Sequence, residues 1–227
     1  MKKVVLALTL LVVSFGYSQT RGQYDIASGL GGRGQVFDFG RKADTRENVN
    51  GSPYFVDTYL PVKLSNFENE NILVRYNAAE DEMEFRKDGQ IYYVPKSDDL
   101  SVKFLNSGKE YHYTSYTDKG NVTSGYLILV SENEKVSLFK REQIKFVAAK
   151  EAANSYDTGR PAEYKKADDA FFLELNGTIE NFPKNKKELI RKFSHKEKEV
   201  AEFLKQNKTS FSREVDLVQL TKFLSTL

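Results

Sequence analysis

The chain has 227 residues, 40% of them hydrophobic and 13% aromatic, with no tryptophan and no cysteine. Without cysteine, a lipid-modified N-terminal Cys, a disulfide framework, a thiol nucleophile and a Cys zinc site are all excluded together. The net charge of +2 comes from Lys2 and Lys3; beyond residue 18, 32 basic residues balance 32 acidic ones, and this overall charge argues for no nucleic-acid or membrane partner.

Lys2 and Lys3 form a positive start, Val4 to Val13 an apolar run broken only by Thr9, and Gly16 and Ser18 stand at −3 and −1 of a cleavage site before Gln19. This order describes a secretory signal peptide over residues 1–18. The run is about half of the roughly 20 residues that cross a bilayer, so no transmembrane segment is expected. The protein is expected to be periplasmic or secreted. Residues 19–49 hold Gly22, Gly29, Gly31, Gly32, Gly34 and Gly40 with no sustained apolar period, and are expected to form a disordered tail.

From about residue 50 the texture changes to short alternating runs between turn residues, the pattern of an antiparallel sheet. Strands are expected at Leu60 to Leu64, Ile72 to Tyr76, Glu82 to Arg86, Gln90 to Val94, Ser101 to Leu105, Glu110 to Tyr116, Tyr126 to Ser131, Lys135 to Lys140, Gln143 to Val147, Phe171 to Leu175 and Thr178 to Phe182. Asp88-Gly89 and Asn176-Gly177 are hairpin turns, because these residue types tolerate positive φ. The stretch Ala148 to Ala170, with its Gly159-Arg160-Pro161 break, is expected to be a long loop or to hold a short helix ahead of the break. Sixteen Phe and thirteen Tyr suggest a sheet core built on aromatics.

After Pro183 the period becomes helical. Asn185 precedes Glu188 by three, and Ser194 precedes Glu197 by three, so two helix starts carry capping-box spacing. Leu189, Ile190 and Phe193 line the first helix and Val200, Phe203 and Leu204 the second. A third helix after Ser212 aligns Leu217, Leu220, Leu224 and Leu227. Residues 184–227 are too few to fold alone readily, so docking on the β domain of residues 50–183 is expected. The fold class is therefore α+β: an antiparallel meander or partly closed barrel with three short C-terminal helices. The helical segment carries eleven Lys and Arg (Lys184, Lys186, Lys187, Arg191, Lys192, Lys196, Lys198, Lys205, Lys208, Arg213, Lys222) against six acids (Glu188, Glu197, Glu199, Glu202, Glu214, Asp216). Its functional reading is adhesion to an anionic envelope surface or glycan; its plain reading is a solvated face with i,i+4 pairs.

Few motifs carry chemistry. Gly29-Leu30-Gly31-Gly32-Arg33-Gly34 matches the dinucleotide fingerprint in letters, but no strand precedes it and no helical pattern follows. Ser137-Leu138-Phe139-Lys140 has the Ser-x-x-Lys spacing, yet in a strand residues three apart point to opposite faces. His112 alternates with Thr114 and Tyr116 on one strand face, opposite Tyr111 and Tyr113, and has no second metal ligand at useful spacing. His195 stands beside a helix cap. Carboxylates cluster at Glu80, Asp81, Glu82 and Glu84, at Asp98 and Asp99, and at Asp168 and Asp169, without calcium-loop spacing; they read as turn and edge solvation. Tyr92, Tyr93, Tyr111, Tyr113, Tyr116 and Tyr126 read as packing rather than a sugar platform. Asn121-Val122-Thr123, Asn176-Gly177-Thr178 and Asn207-Lys208-Thr209 match the glycosylation pattern, which has little weight under a bacterial-looking leader. No catalytic, cofactor-binding or metal residue and no cofactor is assigned.

Gly51-Ser52-Pro53-Tyr54, Leu73-Val74-Arg75-Tyr76-Asn77, Asp81-Glu82-Met83-Glu84-Phe85 and Asp216-Leu217-Val218-Gln219-Leu220 together resemble a set of uncharacterised short exported proteins of Bacteroidetes. The resemblance implies compartment and fold and transfers no functional residue. The expected function is a non-enzymatic envelope binding or scaffolding module, whose partner is an envelope protein or an anionic surface met through the basic helices. The rivals are a periplasmic carrier with an apolar cavity in a curved sheet, and a hydrolase. N-terminal sequencing of the exported protein should read from near Gln19; an intact Met1 in the soluble fraction would overturn the leader.

Overall fold

The computed structural model describes residues 49–65, 72–152 and 158–227. The expected leader, the Gly29 to Gly34 motif and the expected tail up to residue 48 lie outside the described residues. Twelve strands follow in chain order among the described residues: β1 (Leu60–Leu64), β2 (Ile72–Asn77), β3 (Glu82–Lys87), β4 (Gln90–Tyr93), β5 (Ser101–Phe104), β6 (Glu110–Asp118), β7 (Asn121–Ser131), β8 (Val136–Arg141), β9 (Ile144–Val147), β10 (Glu163–Lys166), β11 (Ala170–Leu175) and β12 (Thr178–Asn181). Three helices end the chain: α1 (Lys186–Lys192), α2 (Glu197–Asn207) and α3 (Glu214–Leu224). The α+β class with a partly closed barrel expected from the sequence is the one observed.

Ten strands form one sheet in the order β12-β11-β8-β7-β6-β5-β1-β2-β3-β4, and β9 and β10 form a separate pair. All neighbours in that order are antiparallel, but β12 also meets β6 in parallel at Glu180 and Thr117, which closes β6, β7, β8, β11 and β12 into a five-stranded mixed barrel. Asn181 ties the seam, its Oδ1 accepting the Lys119 N–H at 2.6 Å and its Nδ2 donating to Asp118 Oδ1 at 3.0 Å. Asp88-Gly89 and Asn176-Gly177 both have positive φ at their two residues, as their hairpins require.

Strand alternation distributes the apolar residues into three cores. Tyr111, Tyr126 and Ile128 of the β6–β7 hairpin join Val62, Val74, Met83 and Val102 beneath the β1–β5 half of the sheet. From the opposite face of the same hairpin, Tyr116 and Leu127 enter the barrel with Phe139, Phe172 and Ile179. The barrel's outer face, Val136, Leu138 and Leu173, packs against Leu189, Val200, Leu204, Leu217, Leu220 and Leu224 of the helices. Gly125 permits a close approach between the first two cores: a Cβ there would lie 2.5 Å from the Asp81 carboxylate, which instead accepts the Tyr126 N–H at 3.2 Å and the Tyr76 hydroxyl at 2.6 Å.

The structure departs from the sequence reading in three places. The region read as a loop or short helix, Ala148 to Ala170, contains β10, whose four residues pair with β9; Glu163-Tyr164-Lys165-Lys166 is too short and too charged to show a strand period. The β6–β7 hairpin runs on to Asp118 and Asn121 around Lys119 and Gly120, because both take positive φ although Lys-Gly is a weak turn signal. At the second helix start, Ser194 does not cap: residues Ser194–Lys196 form a 3-10 turn and α2 begins at Glu197 without a side-chain cap. The first capping box does form, with Asn185 Oδ1 accepting the Glu188 N–H at 3.0 Å.

Leu220 is fully buried on α3 and belongs to the core shared with β8 and β11. Leu220→Ala should cost about 2–5 kcal/mol. In urea or thermal melts the loss should appear in a single transition followed by both sheet and helix signals. A separate helical transition that alone responds would show that the helices fold by themselves.

Candidate functional site

His112 sits on β6 with its ring edge-on to Phe139 at 6.3 Å, facing the barrel side of the sheet. Its Nε2 lies 3.4 Å from Glu110 Oε1 and makes no hydrogen bond among the described residues. Ser101, the register partner of His112, donates its hydroxyl to that same Glu110 oxygen at 3.0 Å. Burial raises the Glu110 pKa, but hydrogen bonds from Lys103 and Ser101 and the nearby His112 together hold it below the usual carboxylate range. The hydroxyl is therefore tied to the carboxylate rather than presented to the imidazole, and no activated nucleophile results. His195 is exposed in the 3-10 turn, 6.4 Å from the Phe193 ring.

The carboxylate clusters separate by environment. Glu84 is buried and receives Arg75 Nε at 2.9 Å, Asn77 Nδ2 at 2.9 Å and the Tyr54 hydroxyl at 2.9 Å, while the Arg75 guanidinium lies 3.8 Å from the Tyr54 ring centre. This network pins the segment before β1 onto β2 and β3. Asp81 is raised above the usual carboxylate range by burial, although bonds from Tyr76 and Tyr126 oppose the shift. Asp99 accepts the Ser65 hydroxyl through its carbonyl, and Asp169 lies 3.5 Å from Lys140 Nζ. No group of three His, Asp or Glu able to hold a metal ion forms among the described residues.

Ser137 and Lys140 point to opposite sides of β8: Phe139 faces the barrel interior, whereas Lys140 reaches outward to Glu214 at 2.7 Å in the first turn of α3. Glu142, next to it and also buried, accepts Lys109 Nζ at 2.6 Å and the Tyr111 hydroxyl at 3.0 Å. Sequence reasoning missed this network, and its one signal was a lysine at an apolar-face position of a strand. The tyrosines considered as a sugar platform lie in the cores instead: Tyr111 and Tyr126 under the β1–β5 half, with Tyr92 and Tyr113 packed beside them, and Tyr116 in the barrel.

Besides a depression of about 380 Å³ at the Asn176-Gly177 turn, lined by Glu132, Glu134, Lys135 and Glu174, two concavities stand out. A cavity of about 90 Å³ opens beside Phe55, Leu60, Tyr76, Phe104, Tyr111 and Glu142. It has room for a few waters or one small side chain, well below the roughly 300–1,000 Å³ of drug-sized sites. The second is a cleft of about 300 Å³ where β12 runs into α1, lined by Glu180, Asn181, Lys184, Glu188, Arg191 and Lys192 over Phe182 and Pro183. It lies at one end of a basic face: between residues 184 and 208 nine Lys and Arg stand against four acids. Lys184, Lys186, Lys187, Arg191, Lys198, Lys205 and Lys208 are all exposed. Only Lys192, with Glu180, and Lys196, with Glu199, form ion pairs in this segment among the described residues. None of its helices is long and apolar enough to cross a membrane, among the described residues. No family model, curated protein or solved structure matches the chain.

At the barrel seam Asp118 accepts Arg141 Nη2 at 2.9 Å, and Arg141 Nη1 donates to the Tyr116 hydroxyl at 3.0 Å. Burial opposes ionisation of Asp118, yet the bonds from Asn181 and Arg141 prevail and hold its pKa below the ordinary value. A depressed folded-state pKa contributes stability that is complete above the unfolded value, near 3.9, and is lost as pH falls through the folded value. Asp118→Asn should lower stability by about 1–3 kcal/mol at pH 7. The gap from wild type in urea melts should narrow as pH falls below about 4; a gap that stays constant would show that the carboxylate charge contributes nothing to the seam.

Proposed function

We propose that this protein is a non-enzymatic envelope binding or scaffolding module, exported to the periplasm or the cell exterior, that holds an anionic surface through the basic face of α1 and α2. The observation that carries this reading is the sidedness of the helical segment. Leu189, Val200 and Leu204 are turned into the core shared with the barrel, which leaves the lysines of the same helices in solvent with few carboxylates to neutralise them. Like charges kept together on one face raise the local potential and draw anionic partners, most strongly at low ionic strength. The exported compartment rests on the leader and on the resemblance to exported Bacteroidetes proteins, both read from sequence. The buried ionisable groups support the same reading: Glu84, Asp81, Glu142 and Lys140 are each engaged by hydrogen bonds that hold strands or helices in place.

The test is flotation with vesicles of phosphatidylglycerol in phosphatidylcholine against phosphatidylcholine alone. Binding should require the anionic lipid and weaken steeply with salt. Replacing Lys186, Lys187, Lys198 and Lys205 by Gln should reduce it by about tenfold or more, since each cation near such a surface contributes about 1 kcal/mol. Equal binding to neutral vesicles, or indifference to the four substitutions, would overturn the proposal.

A further inference from the structure

The cleft between β12 and α1 holds cations that the fold does not use. Glu188 is held at the start of α1, its Oε2 accepting the Lys184 N–H at 2.9 Å and its Oε1 accepting Asn185 Nδ2 at 3.0 Å. Asn181 is committed to the barrel seam through both of its side-chain polar atoms. Glu180 is paired with Lys192. Of the polar groups lining the cleft, the Lys184 ammonium and the Arg191 guanidinium remain, with no hydrogen bond or ion pair among the described residues. Lys184 precedes the Asn185 cap and Arg191 stands in the last turn of α1, and both line the cleft.

From this arrangement we infer that the cleft is a binding seat for a phosphate ester, held by Arg191 and Lys184 over the Phe182–Pro183 floor. The inference rests on the anionic-surface reading above and names the group recognised. A guanidinium presents a planar fork that takes two oxygens of an oxyanion at once, and an ammonium adds a compact point charge from another direction. A carboxylate would spend both oxygens on the fork. A phosphate ester has a further oxygen for the lysine, and the cleft of about 300 Å³ leaves room for the body to which the phosphate is attached. Lys192 adds positive charge at the wall, where it is paired with Glu180. The same chemistry is offered by a free phosphate ester and by a phospholipid headgroup.

The experiment uses glycerol 3-phosphate in calorimetric titration and phosphatidylglycerol vesicles in flotation, with two double variants of equal charge loss. Lys184→Gln with Arg191→Gln empties the cleft; Lys198→Gln with Lys205→Gln removes two cations of α2 outside it. Thermal melts confirm that each variant is folded. The expected result is single-site binding of glycerol 3-phosphate that the cleft pair weakens about tenfold or more and the α2 pair changes by about twofold or less. Vesicle binding should fall with either pair, since both remove cations of the basic face, and fall further with the cleft pair. If both pairs weaken vesicle binding equally and glycerol 3-phosphate does not bind, the cleft inference falls while the anionic-surface reading stands. If glycerol 3-phosphate binds through the cleft and vesicles do not, the seat stands for a soluble ester and the surface reading falls. If neither probe binds, both fall.

Discussion

The β6–β7 hairpin is a wall shared by two cores, and the rest of the molecule depends on its sidedness. One face supplies Tyr111, Tyr126 and Ile128 to the core under β1–β5; the other supplies Tyr116 and Leu127 to the barrel. Because side chains alternate with a period of two, a slip of one residue would exchange these sets and place each against the wrong partners. Register is therefore specified from both sides at once. Gly125 adds a further constraint, since only the lack of a side chain lets the Asp81 carboxylate reach the β7 backbone and join the two halves.

Buried charge is concentrated where elements meet. Arg75 and Glu84 hold the segment before β1, Arg141 and Asp118 hold the barrel seam, and Lys140 joins β8 to the first turn of α3. Removing one partner of such a pair leaves the other desolvated and unpaired, which costs far more than the pair itself contributes. These groups thus select one assembly of strands and helices over its neighbours. The same commitment ties up hydroxyls that look reactive in the sequence: Ser101 donates to Glu110, and Tyr111 to Glu142.

The helices complete the outer face of the barrel and in doing so sort their own residues. Packing leucines and valines onto Val136, Leu138 and Leu173 leaves the lysines facing outward, so the basic surface is a consequence of docking as much as of composition. The positive excess lies wholly between residues 184 and 208, because Arg213 and Lys222 are balanced by Glu214 and Asp216. α3 has its first-turn carboxylate Glu214 spent on Lys140, whereas α1 and α2 face solvent with most of their cations unneutralised. The candidate binding surface is thereby confined to one end of the helical segment.

By itself the sequence determined the class of fold, nearly every strand, two of the hairpin turns and the apolar stripes of the helices, because these follow from local rules: alternation, positive-φ residues and the helical period. It also placed His112 and Tyr116 on the face opposite Tyr111 and Tyr113. Tertiary structure alone decided what lay across each face. The parallel contact of Glu180 with Thr117, which turns a meander into a barrel, joins residues far apart in the chain and leaves no local trace. β10 is a strand only because β9 offers it an edge, and Ser194 fails as a cap because the chain there tightens into a 3-10 turn. The candidate cleft is of the same kind. Its cations were legible as composition, but which of them remain uncommitted depends on hydrogen bonds that Glu188, Asn181 and Glu180 make in the folded chain, and no spacing of residues encodes those.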